Sequence, residues 1–168
     1  PPPLHSSSAA SDVYKRQNKS LAFLDNDHNG QTRRLIDVIA AGEANESAKL
    51  LAYAKSPDPS TRYWAAVWLG VNKRAEGKTT LLELTADPVP AIRVAAAQAL
   101  CKLGDLSQPK LLIEHINDPN LLVGMFALRA TEELGDAGKV HRADVAAAQK
   151  SNYEFSRRIA RRLTVKWR

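Results

Sequence analysis

Few residues in this chain are suited to chemistry, and spacing decides what each is worth. Asp25-Asn-Asp27-His-Asn29-Gly30 reads D-x-D-x-N-G, the opening of a calcium-binding EF-hand loop in which oxygens at positions one, three and five converge about a glycine turn. Position twelve of such a loop needs a bidentate glutamate. Here it is Ile36, so the segment reads instead as a polar linker that caps the first helix. His115 follows Glu114, and His141 shares a helical face with Asp144, yet neither pair has the further ligands of a zinc site. Glu132 and Glu133 are adjacent and so point in different directions, which is wrong for two carboxylates working across one substrate. Cys101 is the single cysteine. It excludes an internal disulfide and a multi-thiolate metal site, and in CKLGD it reads as a small buried or half-buried thiol. There is no Ser/His/Asp or Cys/His arrangement and no glycine-rich phosphate loop. The expectation is a protein that is not an enzyme, with no metal and no cofactor.

Two features suit binding better than catalysis. The stretch Arg62–Gly70, RYWAAVWLG, holds two of the three tryptophans, Trp64 and Trp68, four residues apart. They are either a stacking platform or core filling, and Tyr63, one position off their stripe, is the better candidate for a platform. The second feature is the terminal segment NYEFSRRIARRLTVKWR. Residues 151–168 hold six basic residues against Glu154, whereas residues 1–150 are nearly balanced. Thus most of the net charge of +6 sits at one end. Arg158, Arg161, Arg162 and Lys166 fall off the apolar stripe of Ile159, Ala160, Leu163 and Trp167 and form a basic face. That face reads either as the polar cap of a terminal repeat or as a site for nucleic acid or a sulfated or acidic polysaccharide.

The elements that carry these residues are legible from composition and repetition. Of the 168 residues, 44% are hydrophobic and 6% aromatic, with one disulfide-incapable cysteine and abundant alanine and leucine; that balance favours one all-α unit. Aligning Arg62, Arg93, Gly124 and Arg157 places Ala65, Ala96, Ala127 and Ala160 in one column, three residues further on. The pairs Leu50-Leu51, Leu81-Leu82 and Leu111-Leu112 recur with the same period of about 31 residues and fade to Val145-Ala146. A tandem repeat of helix pairs follows, with the second helix of each pair burying offsets two, three, six, seven and ten from the arginine column. Offset two is Trp64, Ala95, Phe126 and Ile159; offset six is Trp68, Ala99, Ala130 and Leu163. Both tryptophans are therefore expected in the core, opposite small Ala95 and Ala99 of the next repeat.

Punctuation keeps the same period. Asp58-Pro59, Asp87-Pro88 and Asp118-Pro119 each predict an N-cap followed by proline at the first helical position. Gly104 and Gly135 predict left-handed stops, and Asn45 and Ser107 are expected to cap the leucine helices. Arg62 and Arg93 read as rungs of an Asp–Arg ladder between repeats. Gly124 breaks it, and with Thr131 at offset seven it predicts a weaker third unit.

The Asp-Pro-x-x-x-Arg and Arg-x-x-Ala-Ala patterns, with paired leucines one helix earlier, resemble HEAT-type helical repeats over residues 31 to about 165. The resemblance implies an α-solenoid of stacked antiparallel helix pairs, about nine helices in all over 31–168. More narrowly, QTRRLIDVIAAGEANESAKLLAYAKSPDPSTRYWAAVWLG, VAAAQALCKLGD and FALRATEELG resemble the HEAT-repeat tail of some bacterial sulfatases. That resemblance implies a non-catalytic scaffold or interaction module, an accessory C-terminal segment of a larger, periplasmic or secreted enzyme. Its partner would be another protein or its own catalytic domain. It carries no catalytic residue onto this chain, which lacks the Cys-x-(Pro/Ala/Ser)-x-Arg motif of a sulfatase. Residues 1–18, PPPLHSSSAASDVYKRQN, are expected to be a disordered, non-native tract, and 19–30 a polar linker.

Overall fold

A computed structural model describes residues 30–168; the expectations for 1–18 and 19–29, including the Asp25–Asn29 oxygens, lie outside the described residues. The chain divides between Asp37 and Val38, and packing is given for the second unit, Val38–Arg168, by itself. Among the described residues there are nine α-helices and no strand. They are α1 (Gln31–Glu43), α2 (Ser47–Tyr53), α3 (Pro59–Val71), α4 (Lys78–Leu84), α5 (Pro90–Lys102), α6 (Pro109–His115), α7 (Leu121–Ala130), α8 (Arg142–Ala147) and α9 (Glu154–Lys166). The expected all-α stack of helix pairs is what forms.

After α1 the pairs are α2/α3, α4/α5, α6/α7 and α8/α9, each a short first helix folded back on a longer second one. The second helices also pack on one another, α3 on α5, α5 on α7, α7 on α9. Their tight seam explains the alanine column: Ala65, Ala96, Ala127 and Ala160 are all fully buried. From each first helix one apolar side chain, Leu50, Leu81, Leu112 or Val145, is completely shielded. A leucine in that position is worth about 3 kcal/mol against alanine. At offset seven, Leu69 and Leu100 are buried, and Thr131 is buried with its hydroxyl donating to Leu128 O at 2.6 Å.

The stops follow one geometry. In three repeats a residue of positive φ ends the second helix, and the next residue's N–H reaches back to a carbonyl five positions earlier: Glu46 to Ala41, Arg74 to Leu69, Asp105 to Leu100. This is the Schellman arrangement. Gly104 and Gly135 have the expected positive φ. Asn45 and Lys73 (φ 60° and 50°) fill the same role in the first two copies. Asn45 is thus a helix stop and not the N-cap expected of it; Glu46 and Gln108, which precede α2 and α6, receive no capping bond, so Ser107 is no cap either.

The Asp-Pro reading holds once. Asp58 accepts from Thr61 N at 2.8 Å and Pro59 opens α3. In the next two copies the helix starts two residues later, after Val89 and after Asn120. There the aspartate turns on its own loop instead: Asp87 accepts from Val89 N and Asp118 from Asn120 N. Pro90 and the Asn120 cap, whose Oδ1 accepts from Leu122 N, supply the real start signals.

Gly124 and Thr131 do mark the third unit. A Cβ at Gly124 would lie 2.8 Å from the Ile116 carbonyl oxygen, so α7 lies against the backbone of its own first helix. The second helix is shorter here, ten residues against thirteen in its neighbours, and passes at Thr131 into a 3-10 segment, Thr131–His141.

Candidate interaction surface

Neighbouring repeats are held by a relay on the loop side of the stack. Arg62 donates Nε and Nη2 to the two Asp87 oxygens at 2.7 and 3.2 Å, while its Nη1 reaches Ser56 O and Pro57 O. The fork crosses one repeat boundary, as expected for the ladder. Burial alone raises the Asp87 carboxyl, but the Arg62 bond, the Val89 N–H and the charges of Arg62 and Arg93 outweigh it and hold the group below its ordinary range. At the next boundary the rung is different. Arg93 donates Nη1 to Asp87 O and Pro88 O, and its Nε meets His115 Nε2 at 3.2 Å. His115 Nδ1 lies 3.1 Å from Asp118, so the histidine stands between the arginine and the aspartate. His115 is thus a structural linker.

A second surface, close in sequence to this relay, is apolar. Trp68 meets the core reading in part: it is partly buried against the core cluster and lies on Gly42 of α1, where an added Cβ would fall 2.1 Å from the indole, while Ala99 abuts Gly70. Trp64 does not. It is 37% exposed and lines an open groove with Val89, Ala91 and Ile92 of the next repeat. Phe126, two repeats along the same column, is 39% exposed and lines the same groove. Tyr63 is half-buried with its ring edge-on to Trp64, centroids 5.5 Å apart. These rings and Pro59, Ile92, Leu122 and Val123 line this open groove of about 410 Å³ across the first turns of α3, α5 and α7, with Ser60 and Asn120 its polar atoms. Tyr63, singled out from the sequence, lines this groove, and Trp64 is the more exposed of the two rings.

The terminal arginines lie on α9 beside this groove. Arg158, Arg161, Arg162 and Lys166 are all exposed. Arg158, Arg161 and Arg162 line one hollow with Phe155 and Ile159, and Arg162 also lines a second with Met125, Arg129, Glu132, Tyr153 and Phe155. Lys166 lines neither. Sequence reading missed Arg129 and Phe155, both exposed, and missed that Arg162 is bonded to Glu132 at 2.7 Å across thirty residues.

The other chemical candidates remain apart. Among the described residues no group of three or more His, Cys, Asp or Glu side chains is placed to hold a metal. His141 and Asp144 are 3.7 Å apart. Cys101 is buried, and that burial, with Glu133 and Asp105 nearby, pushes its thiol up to about 11. Among the described residues no helix is long and apolar enough to cross a membrane.

A family model of HEAT repeats matches residues 47–130, half of the chain, from the start of α2 to the end of α7. Comparison with curated proteins finds no match.

Proposed function

The chain belongs to the HEAT-repeat family, and from that premise we propose that it is a non-catalytic scaffold that holds a protein partner on the face formed by α3, α5 and α7. One observation carries this reading. Trp64, Leu122 and Phe126, from two different repeats, expose large apolar area on one groove, where a freestanding stack gains nothing by leaving such area uncovered. Retention of a partner on the immobilised chain, compared with the Trp64→Ala/Phe126→Ala variant at unchanged melting temperature, tests it. Loss of retention supports the reading, and equal retention refutes it.

We further read the chain as an accessory segment of a larger sulfatase-like protein, whose own catalytic domain is then one candidate partner. The support is the resemblance of residues 31–70, 94–105 and 126–135. A formylglycine motif encoded upstream in the same reading frame is the expected result; a continuous frame without one overturns it.

The second reading, a polyanion-binding repeat protein, is favoured by the exposed cations of α9. It predicts binding to heparin or DNA that weakens steeply with salt and vanishes when Arg158, Arg161 and Arg162 become Ser. No binding at low salt ends it.

A further inference from the structure

We propose that this face takes an acidic peptide segment carrying a bulky apolar side chain at one end, an inference that rests on the protein-binding reading above. The two halves of the surface meet on α7. Phe126 and Leu122 line the apolar groove, and Met125 and Arg129 line the hollow toward α9. Adjacent residues thus look into adjoining recesses, and one ligand can cross the helix between them.

The halves differ in charge. No ionisable side chain other than Tyr63 lines the apolar groove. The two hollows against α9 are lined by Arg129, Arg158, Arg161 and Arg162, with Glu132 the single carboxylate. All four cations are arginines, whose planar forks take carboxylates in bidentate fashion. A nucleic acid or sulfated polysaccharide carries charge at every unit. Laid along this face, it would set anions over Trp64, Ile92 and Leu122, where no cation answers them. A peptide can place apolar and acidic residues separately, so the graded surface matches a polypeptide better than a uniform polyanion. Second helices about 9 Å apart put three spacings, roughly 27 Å, between the Trp64 and Arg161 ends, which eight or nine extended residues span at about 3.3 Å each.

A phage library of random dodecapeptides selected on the full chain at low salt tests this. Selected sequences are expected to join Asp or Glu at one end to Phe, Trp or Leu at the other. With the synthetic peptides, Arg129→Ser/Arg158→Ser/Arg161→Ser should weaken binding at least about tenfold and flatten its salt dependence. Trp64→Ala/Phe126→Ala should weaken it at least about tenfold and leave the salt dependence in place. Replacing the peptide's carboxylates by amides repeats the first test without altering the protein. Selection of apolar peptides without acidic residues, lost on Trp64→Ala, leaves the protein-binding face standing and overturns the acidic assignment. Peptides indifferent to both sets of substitutions, or no selected peptide at all, overturn both. Heparin or a twelve-nucleotide DNA strand binding more tightly than any peptide, and indifferent to Trp64→Ala, overturns both in favour of a polyanion.

Discussion

Restoring the repeat pattern at position 124 is expected to destabilise the protein. Three of the four copies carry arginine in this column, and each reaches the carbonyl six residues back: Arg62 to Ser56 O, Arg93 to Asp87 O, Arg157 to Ser151 O. By pattern alone Gly124→Arg gains such a bond, and either Ala or Arg gains about 1 kcal/mol of helix propensity over glycine. The packing says otherwise. A Cβ at 124 falls 2.8 Å from Ile116 O and 3.6 Å from His115 O. Both are backbone atoms with no rotamer to change, so the helix must move, at a cost near the upper end of the 1–3 kcal/mol typical of overpacking. Gly124→Ala should therefore lose about 1–2 kcal/mol net, and Gly124→Arg should recover no more than about 1 kcal/mol of it. For a unit of this size that is a fall of roughly 3–6 °C in melting temperature. Urea unfolding at constant m-value measures it. A midpoint above wild type for Gly124→Arg would show that the arginine ladder, and not the contact with α6, governs the third repeat, and would refute the reasoning.

Four further outcomes follow from other contacts of the stack. Asp87→Asn leaves the half-buried Arg62 guanidinium without its counter-charge and should cost about 3 kcal/mol, read from the urea midpoint; a loss under about 0.5 kcal/mol would mean that the ladder is ornamental. Asp105 accepts from Ser107 and Lys78 and is held down to about 2. A depressed carboxyl contributes stability above its ordinary value, near 4, and loses it as pH falls through the folded one, so the urea midpoint should drop between about pH 4 and pH 2 and Asp105→Asn should flatten that slope; an unchanged slope rejects the assignment. Cys101, buried with its thiol raised to about 11, should react with a disulfide reagent at pH 8 only as fast as the fold opens, whereas the rate of a free cysteine would contradict its placement. Iodide should quench one tryptophan component, absent in Trp64→Phe, while Trp68 and Trp167 stay protected; uniform quenching excludes the packing described for both.

What the sequence revealed and what it hid divide along a physical line. The alanine column, the shielded leucines and the glycine stops are set within one repeat or at a seam of fixed spacing, so they recur with the period and are visible in it. Trp64 is not of that kind. Its burial depends on which side chains of the next repeat cover it, and Val89, Ala91 and Ile92 line an open groove beside it without closing over the indole. The aspartates before proline misled similarly. An Asp can cap a helix or close a turn on its own loop, and Asp87 and Asp118 take the second option because Val89-Pro90 and Asn120 begin the helix later. Asn45 was misassigned because asparagine serves both as N-cap and as left-handed stop, and only φ separates the two. The Arg93–His115 rung and the Arg162–Glu132 pair join residues 22 and 30 apart, and no local motif announces either.

The same choice of small residues builds both the stability of the stack and its open face. α5 carries alanine at 91, 95, 96, 97 and 99, and it lies between α3 and α7, touching both. Small side chains let those backbones close on it: a Cβ at Gly70 of α3 would fall 2.7 Å from Ala99. Close approach at the seam leaves Trp64 and Phe126 standing proud on either side of a low middle helix, and that relief is the groove. The arginines of α3 and α5 meanwhile turn to the loops to join the repeats, which strips charge from the groove face. Arg129 of α7 and Arg158, Arg161 and Arg162 of α9 instead lie along the surface. The apolar and cationic ends thus lie at different second helices, and a larger residue at Ala91, which lines the groove on α5 and packs against the core, would alter helix packing and partner recognition together.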